Sequence, residues 1–402
     1  MMRLDPQPWM TAPATRKLMA ALGEARFVGG AVRNTLLARK VEDIDVATPL
    51  LPGEVEHRLK SAGIQAVHTG IEHGTITAVV DGKPFEVTTL RRDVETDGRH
   101  AVVAFTTDWA EDAKRRDFTM NALFASVDGE VFDTVGGVED LKAGRVRFVG
   151  DAVRRIREDY LRILRLFRFH AWYGQGGIEL GALQAVEQEK SGIAILSGER
   201  IAKEMLRLLE AANPVPVLRA MIAFSILSEV LPGEADVDLL ENLVKIDAAE
   251  GFAPDALLRL AILLPRGSVG VADRWKMSNV QRERLTDIAA SSEKLSPALS
   301  QREAQRLLYR FGPRRFKDRL FLAWAEDPGA ANPWRALLNL ADGWQRPRFP
   351  LTGAEVMRAG VLEGPQVGRV LAEVEEWWID NGFTADASLL AERLQQAVRA
   401  AR

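Results

Sequence analysis

The sequence contains no cysteine. This absence excludes disulfide bonds, a thiol nucleophile and any zinc or iron–sulfur site built on thiolates. No apolar run approaches the roughly 18 residues that a membrane-spanning helix requires. Residues 1–8 also lack the apolar segment of a secretory signal peptide. We therefore expect a cytoplasmic protein with no membrane partner.

Histidine is scarce as well, and neither sign of charge dominates. The five histidines are scattered and form no H-E-x-x-H motif, which argues against a histidine-centred metal site. The 53 basic and 56 acidic residues give a formal net charge of −3, so a polyanionic partner would have to be held by a local basic patch. A length of 402 residues with 47% hydrophobic residues indicates a globular chain of roughly two to four domains.

Helix and strand signals change near residues 145–150. The earlier part combines helices at 16–25 and 31–37, strands at 26–28 and 44–47, and a hairpin whose strands 75–80 and 85–90 flank the turn 81–83. Beyond Gly150 nearly all of the sequence reads as helices separated by glycine and proline, with further divisions near Pro214 and Pro297. The pattern predicts an α+β fold with a mixed N-terminal domain and an all-helical remainder.

Two carboxylates on the predicted strand at 44–47 are candidates for metal binding. Asp43 and Asp45 are two residues apart, so on a strand both would project from the same face. Two adjacent like charges favour a cation, and Mg²⁺ takes oxygen ligands while bridging substrate phosphates. Glu86, on the second hairpin strand between apolar neighbours, is the best candidate for a third carboxylate. The alternative is a solvated strand face.

A glycine pair precedes the second predicted helix. Gly29 and Gly30 would leave backbone N–H groups free for a phosphate, with Arg33 one turn inside the helix. The pair matches neither of the common glycine-rich phosphate motifs, and a simple tight turn is the alternative.

A third group of charged residues lies on a predicted helix around residues 156–167. Its apolar positions form one stripe, which predicts that Glu158, Arg162 and Arg165 lie on the opposite side with Asp159 beside them. Over residues 151–170, six arginines and three acids give a local charge of +3, which favours a phosphate-rich ligand. The alternative is a solvated face with ion pairs between successive turns.

The chemistry of nucleotide bases fits a carboxylate beside an arginine. Cytosine and adenine both present an amino donor beside a ring-nitrogen acceptor, whereas uracil and guanine present a carbonyl beside a ring N–H. A carboxylate that accepts and a guanidinium that donates therefore suit C and A and oppose U and G. Asp159 and Arg162 supply this pair of groups.

These motifs together resemble the class II tRNA nucleotidyltransferase and bacterial poly(A) polymerase family, of the polymerase-beta-like superfamily. The matching segments are FVGGAVR (27–33), DIDVAT (43–48), HGT (73–75), EVTT (86–89), RRDFTMNA (115–122), REDYLRILR (157–165) and ERIAKE (199–204). The resemblance implies a nucleotidyltransferase head, residues 1–147, followed by an all-α neck (148–213), body (214–295) and tail (296–402). The neck would select the nucleotide base and the tail would bind tRNA.

The resemblance also implies roles for individual residues. Asp43, Asp45 and Glu86 would be the catalytic carboxylates, with Mg²⁺ held by the first two. The nucleotide-binding residues would be Gly29, Gly30, Arg33, Arg116, Asp117, Asn121, Glu158, Asp159, Arg162 and Arg165, with Glu158 holding the base-selecting arginine.

Two further features bear on the comparison with this family. The chain has Asn34 where the family usually has aspartate after the arginine of the first motif. The segment RRDFTMNA (115–122) resembles the ribose-binding motif of the family. Residues 91–110, between the third carboxylate and this motif, are expected to form a flexible loop because they are polar and contain glycine.

The C-terminal residues distinguish two activities within the family. Poly(A) polymerases tend to carry a basic C-terminal extension, whereas residues 363–402 contain seven acids and four arginines. This favours addition of C and A to the 3′ end of tRNA from CTP and ATP, with release of pyrophosphate and no obligate protein partner. The alternatives are a poly(A) polymerase and a catalytically silent RNA-binding protein, to which only Asn34 points. Whether both nucleotides are used stays open.

Overall fold

The computed structural model describes residues 2–70, 74–96, 101–264, 268–289, 295–329, 331–384 and 386–401. The chain forms two compact units, Met1–Glu234 with Asp273–Met277 and Ala235–Ala272 with Ser278–Arg402. The predicted head and neck both belong to the first unit. The predicted four-part domain division stays a prediction. Among the described residues, no helix has both the length and the apolar character needed to cross a membrane.

The first unit combines strands and helices. Its strands are β1 (Arg26–Val28), β2 (Asp45–Thr48), β3 (Gln65–Gly70), β4 (Thr75–Val80), β5 (Lys83–Thr89), β6 (Arg91–Thr96), β7 (Ala101–Phe105), β8 (Phe124–Ala125) and β9 (Val131–Phe132). Its helices are α1 (Pro8–Thr11), α2 (Pro13–Leu22), α3 (Gly30–Leu36), α4 (Pro52–Ser61), α5 (Trp109–Lys114), α6 (Gly137–Lys142), α7 (Ala152–Glu158), α8 (Leu161–Tyr173), α9 (Leu180–Glu189), α10 (Gly198–Leu209), α11 (Val215–Ala223) and α12 (Leu227–Val230). Short 3₁₀ helices span Thr119–Asn121 and Lys190–Ile195.

The described remainder of the chain is helical, which confirms the predicted α+β class with a mixed head. The helices are α13 (Val237–Glu250), α14 (Ala256–Leu263), α15 (Ser268–Arg274), α16 (Asn279–Ala289), α17 (Gln301–Glu326), α18 (Ala331–Asp342), α19 (Gly353–Arg358), α20 (Pro365–Asp380) and α21 (Ala387–Ala400). α17 bends at Gly312, whose φ of +77° lies outside the helical range, and Pro313 follows it. Buried aromatic residues on these helices, including Trp324 and Trp334, form the core around α17 and α18.

A mixed sheet organises the head. Seven strands lie in the order β3-β4-β5-β2-β1-β8-β9. β2 and β5 run parallel, and the other neighbours are antiparallel. The β4–β5 hairpin is confirmed, and its turn residues Asp81 and Gly82 both have positive φ, of 49° and 78°. Positive φ at both positions is the geometry of the tight turn that suits the twist of a two-stranded hairpin.

The segment at residues 91–110, expected to be a flexible loop, contains regular structure over most of its length, while its flexibility stays a prediction. β6 and β7 pair antiparallel as a separate two-stranded sheet, and α5 begins at Trp109. Residues 101–105 read AVVAF, a strand-forming run that the polar residues before it obscured. Residues 97–100 of this loop, like His73 of the HGT motif, lie outside the described residues.

The prediction of a single helix around residues 156–167 is wrong, because the helix is interrupted at Asp159 and Tyr160, between α7 and α8. Asp159 is extended, with φ −158° and ψ 106°. Its Oδ1 accepts a hydrogen bond from the backbone N–H of Leu161 at 3.1 Å, which satisfies a free donor in the first turn of α8. The apolar stripe is nevertheless buried, since Ile156, Ile163 and Phe167 are fully covered.

Candidate active site

Two parallel strands bring the three predicted carboxylates to one cavity. The register of β2 and β5 sets Asp45 opposite Glu86. Asp43 precedes β2, which begins at Asp45 rather than at the predicted residue 44. All three side chains line a cavity of about 710 Å³. The pairing of β2 with β5 connects segments separated by the whole of α4, β3 and β4, so residue spacing alone could not establish it.

Asp45 lies among other negative charges. Its pKa is raised to about 6, mainly by burial and also by the carboxylates of Glu86 and Asp43, while Arg116 opposes the shift. A divalent cation would relieve this repulsion, and Mg²⁺ typically uses one or two carboxylates together with water and substrate phosphates. Asp43 and Asp45 fit such an ion. Among the described residues, no three His, Asp or Glu side chains are arranged to hold a metal by themselves.

The predicted glycine turn lies against the ribose-binding motif. Gly29 has a φ of +64° and precedes α3, so a side chain there would be strained. A Cβ built on Gly29 would lie 3.6 Å from the carbonyl oxygen of Asn121 and 3.9 Å from Nη1 of Arg116. The N–H of Gly29 already donates to the carbonyl of Leu123 at 3.1 Å. A phosphate contact at Gly29 and Gly30 stays a prediction.

Arg33 is buried and faces protein groups on several sides. Its guanidinium donates to Oδ1 of Asn121, to Oδ1 of Asn34 at 3.0 Å and to the hydroxyl of Tyr173 at 2.9 Å. It also lies 4.2 Å from the centre of the Tyr173 ring. The guanidinium of Arg33 is therefore engaged by protein groups, and its contact with a nucleotide stays a prediction. Tyr173 could not be predicted as a partner of Arg33, because no sequence pattern links residues 140 positions apart.

Asn34 makes use of both ends of its side-chain amide. Its Oδ1 accepts from Arg33, and its Nδ2 donates to the carbonyl of Lys40 at 3.1 Å. A carboxylate at this position could accept from the arginine but could not donate to that carbonyl. The departure from the family pattern therefore has a local structural role in tying α3 to the segment before the acidic strand.

Asp117 of the ribose-binding motif accepts hydrogen bonds from an amide and from a guanidinium. Oδ1 of Asp117 accepts from Nδ2 of Asn121 at 3.0 Å, and Oδ2 accepts from Nε of Arg165 at 2.7 Å. Burial alone would raise the pKa of Asp117, but Arg165 and Asn121 lower it to about 2. Asp117 is thus a carboxylate at any physiological pH. Arg116 donates to Asp112 at 2.8 Å and lies near Asp45.

The predicted base-selecting arginine is clamped at the start of α8. Arg162 donates to a carboxylate oxygen of Glu158, to the carbonyl of Arg155 at 2.7 Å and to the carbonyl of Arg115 at 3.2 Å. Glu158 is buried and is shared with the guanidinium of Arg155. These contacts fix the guanidinium of Arg162. The ion pair between Glu158 and Arg162 that the alternative named is present, but Glu158 is buried, so this face is not a solvated one.

Asp159 is paired with Arg200 and not with Arg162, the arginine of its own segment. Both of its carboxylate oxygens accept from Nη2 of Arg200, at 3.0 and 2.8 Å. Arg200 lies on α10, within the ERIAKE segment. Asp159 and Arg162 are therefore each held by a separate partner.

Two segments of the chain match known protein families. Residues 25–147 match the family described as Poly A polymerase head domain. Residues 177–237 match the family described as "Probable RNA and SrmB- binding site of polymerase A". A crystal structure of the Bacillus stearothermophilus CCA-adding enzyme in complex with CTP superimposes with a TM-score of 0.76 at 26% identity, covering 96% of this chain and 98% of that one.

Curated relatives match over nearly the whole chain. The human mitochondrial CCA tRNA nucleotidyltransferase 1 is 34% identical, covering 93% of this chain and 87% of its own length. The CCA-adding enzyme of Levilactobacillus brevis is 31% identical, covering 91% of this chain and 92% of its own length. With these similarities extending from the acidic strands of the head to the C-terminal helices, the chain belongs to the family of CCA-adding tRNA nucleotidyltransferases.

Proposed function

We propose that this chain adds the 3′-terminal C and A nucleotides to tRNA, using CTP and ATP and releasing pyrophosphate. The observation that carries the proposal is the parallel register that sets Asp45 opposite Glu86, in a cavity that also includes Asp43. A chain of this family that had become a silent RNA-binding protein would have no need of three carboxylates kept together at an electrostatic cost.

The reaction is a nucleotidyl transfer. The 3′-hydroxyl oxygen of the tRNA attacks the α-phosphorus of the nucleotide, a new P–O bond forms, and the bond to the β-phosphate oxygen breaks as pyrophosphate leaves. Asp117, held by Arg165 and Asn121, is placed to fix the ribose, as the family motif implies. Holding the reacting groups in one geometry supplies much of the rate enhancement in such transfers.

Mg²⁺ is the proposed cofactor, held by Asp43 and Asp45. When bound there, it supplies electrostatic stabilisation of the charge on the transferring phosphoryl group. The fit rests on the placement of Asp43, Asp45 and Glu86 around one cavity, since these carboxylates leave a negative charge that a cation would neutralise. Glu86 is exposed beside them and completes the acidic wall of the cavity.

Asp159 and Arg162 are the proposed readers of the base. Each is held in place, Asp159 by Arg200 and Arg162 by Glu158, and both side chains keep part of their surface exposed. A fixed acceptor and a fixed donor match the amino and ring-nitrogen edge that C and A share.

The cytoplasmic location stays a prediction, because several relatives are mitochondrial proteins.

The length of the product tests the proposed function. Given tRNA transcripts that end before the terminal C, C or A, together with CTP and ATP, we expect extension by about three, two and one nucleotides respectively, because shape-directed recognition of tRNA limits the growth. Denaturing gel electrophoresis of the products measures this. Long A tails on unstructured RNA would identify a poly(A) polymerase instead, and no extension of any substrate would leave only RNA binding.

A further inference from the structure

A second cavity lies in the first unit, away from the acidic one. It has a volume of about 650 Å³. The two cavities share no lining residue. The charged groups that line it are Arg92, Glu111, Lys114, Arg115, Arg147, Asp151, Arg154 and Arg155. Six of these eight side chains are cationic, although the whole protein carries a net charge of −3.

The positive charge of this cavity is only partly neutralised by the carboxylates around it. Arg147 pairs with the buried Asp140, which also pairs with Arg145. Asp112 is fully buried and serves both Arg115 and Arg116. The pKa of Arg115 is lowered to about 10, mainly by burial and also by the neighbouring Arg116 and Arg91, even though Asp112 opposes the shift. An anion in the cavity would also oppose it, since opposite charge favours the charged form of a guanidinium.

Another buried carboxylate is divided in the same way. Glu158 pairs with Arg154 and Arg155, which line the cavity, and with Arg162 on the other side. Arg155 also donates to the carbonyl of Lys114 at 3.1 Å, and Arg162 to the carbonyl of Arg115 at 3.2 Å. The basic cavity is therefore built on the same contacts that fix the proposed base-selecting arginine.

The lining indicates which part of a ligand would bind. Phe148 is the one aromatic residue that lines the cavity within the described part of the chain, and it is buried, so no exposed ring is offered for base stacking. Clustered arginine and lysine side chains without such a platform bind phosphates of a nucleic-acid backbone rather than its bases. None of the proposed nucleotide-contacting groups Asp45, Asp117 and Asp159 lines this cavity.

We infer that this basic cavity, with its cations Arg92, Lys114, Arg115, Arg147, Arg154 and Arg155, binds backbone phosphates of the tRNA strand that is being extended. The inference rests on the proposed function, since it names how the head holds the RNA whose 3′ end reacts. It places an RNA-binding surface outside residues 177–237, the segment that matches the RNA-binding family description. A strand held here would be anchored to the wall that supports Arg162.

Charge reversal at the exposed edge of the cavity tests the inference. Lys114 is exposed at the end of α5, and Arg92 is exposed on β6. We expect Lys114→Glu and Arg92→Glu each to weaken binding of tRNA lacking its terminal CCA about tenfold at 0.1 M salt. Each should also reduce the slope of log K against log salt by about 0.7 to 0.9 for every phosphate that the variant no longer neutralises. The matched control is Lys17→Glu on α2, the same charge change at an exposed residue that does not line the cavity.

Fluorescence anisotropy with the full-length chain at several salt concentrations gives the tRNA Kd and its slope. The KM for CTP at saturating tRNA and inhibition by added pyrophosphate are measured alongside, and neither should change. Circular dichroism confirms folding, and Lys114→Gln removes the charge without placing an acid at the helix end. Unchanged tRNA binding, an equal weakening in Lys17→Glu, or weaker pyrophosphate inhibition with normal tRNA binding would each overturn the inference. If the wild-type chain binds tRNA but adds no nucleotide, the proposed function fails independently of this cavity.

Discussion

Replacing Asp45 with asparagine is expected to reduce nucleotide addition by about a thousandfold or more, because metal-assisted stabilisation of phosphoryl charge supplies several kcal/mol of barrier lowering. Asparagine has the same shape but no charge, so the cavity would keep its form while its affinity for Mg²⁺ falls. Asp43→Asn should behave in the same way. Single-turnover addition of CMP to tRNA, with the enzyme in excess, measures the decrease directly.

The same substitution should leave the fold intact or strengthen it. Because the pKa of Asp45 is raised to about 6, the folded protein binds a proton there more tightly than the unfolded chain does. The stability contributed by this group therefore increases as the pH falls through 6 and is complete below the ordinary value near 4. Asp45→Asn removes the cost of burying the charge as well as its repulsion by Glu86 and Asp43, so at pH 8 without metal we expect the free energy of unfolding to rise by about 1 to 3 kcal/mol.

Asp128→Asn is the control for this prediction, since Asp128 is an exposed acid of the head that does not line the acidic cavity. It should retain full activity and unchanged stability. Urea unfolding in EDTA at pH 8 and at pH 5 separates the two contributions, because the gain in Asp45→Asn should shrink at the lower pH. Normal turnover by Asp45→Asn would remove the metal-binding assignment.

The sequence predicts best where a local pattern determines the structure. The hairpin of β4 and β5 follows from strand-forming runs on either side of Asp81 and Gly82, and a turn of this type needs only local positive φ. The alternation around Asp43 and Asp45 likewise indicates a strand and places two acids together. These features need no information from distant parts of the chain.

Features that depend on tertiary contacts could not be predicted in this way. The periodicity of residues 156–167 indicates one helix, yet Asp159 is extended and paired with Arg200, 41 positions away. Helical periodicity does not record such a break, because the apolar side chains on both sides still face the same core. The surroundings of Arg33 could not be predicted either, since the hydroxyl of Tyr173 accepts its hydrogen bond only when the neck packs on the head.

Replacing Arg162 with alanine is expected to lower kcat/KM for the correct nucleotides by about 5- to 150-fold. The substitution removes the proposed donor to the ring nitrogen, and it leaves the carbonyls of Arg155 and Arg115 without this partner. The ring nitrogen of the bound base, left without its donor, costs about 1 to 3 kcal/mol, which corresponds to the range given. The two carbonyls lose their partner in the free and the bound enzyme alike, so their cost falls on stability. Glu158 would still pair with Arg155, so the helix junction should persist.

Discrimination among nucleotides should change as well as rate. UTP and GTP present a ring N–H to the protons of the Arg162 guanidinium, and part of the selectivity against them comes from this opposition. In Arg162→Ala we therefore expect a smaller fall in kcat/KM for UTP and GTP than for CTP and ATP. Arg162→Lys keeps the charge but not the planar fork of donors, so it should recover little of the selectivity.

Arg157→Ala is the matched control for this experiment. Arg157 lies five residues earlier on α7, is largely exposed and pairs with Glu189, so its removal takes the same charge from the neck without touching Glu158. Measuring kcat/KM for all four nucleotides on one tRNA acceptor compares the two variants. We expect uniform, small changes for Arg157→Ala and nucleotide-dependent changes for Arg162→Ala. An equal fall for all four nucleotides in Arg162→Ala would show that this arginine binds phosphate or supports the fold and does not read the base.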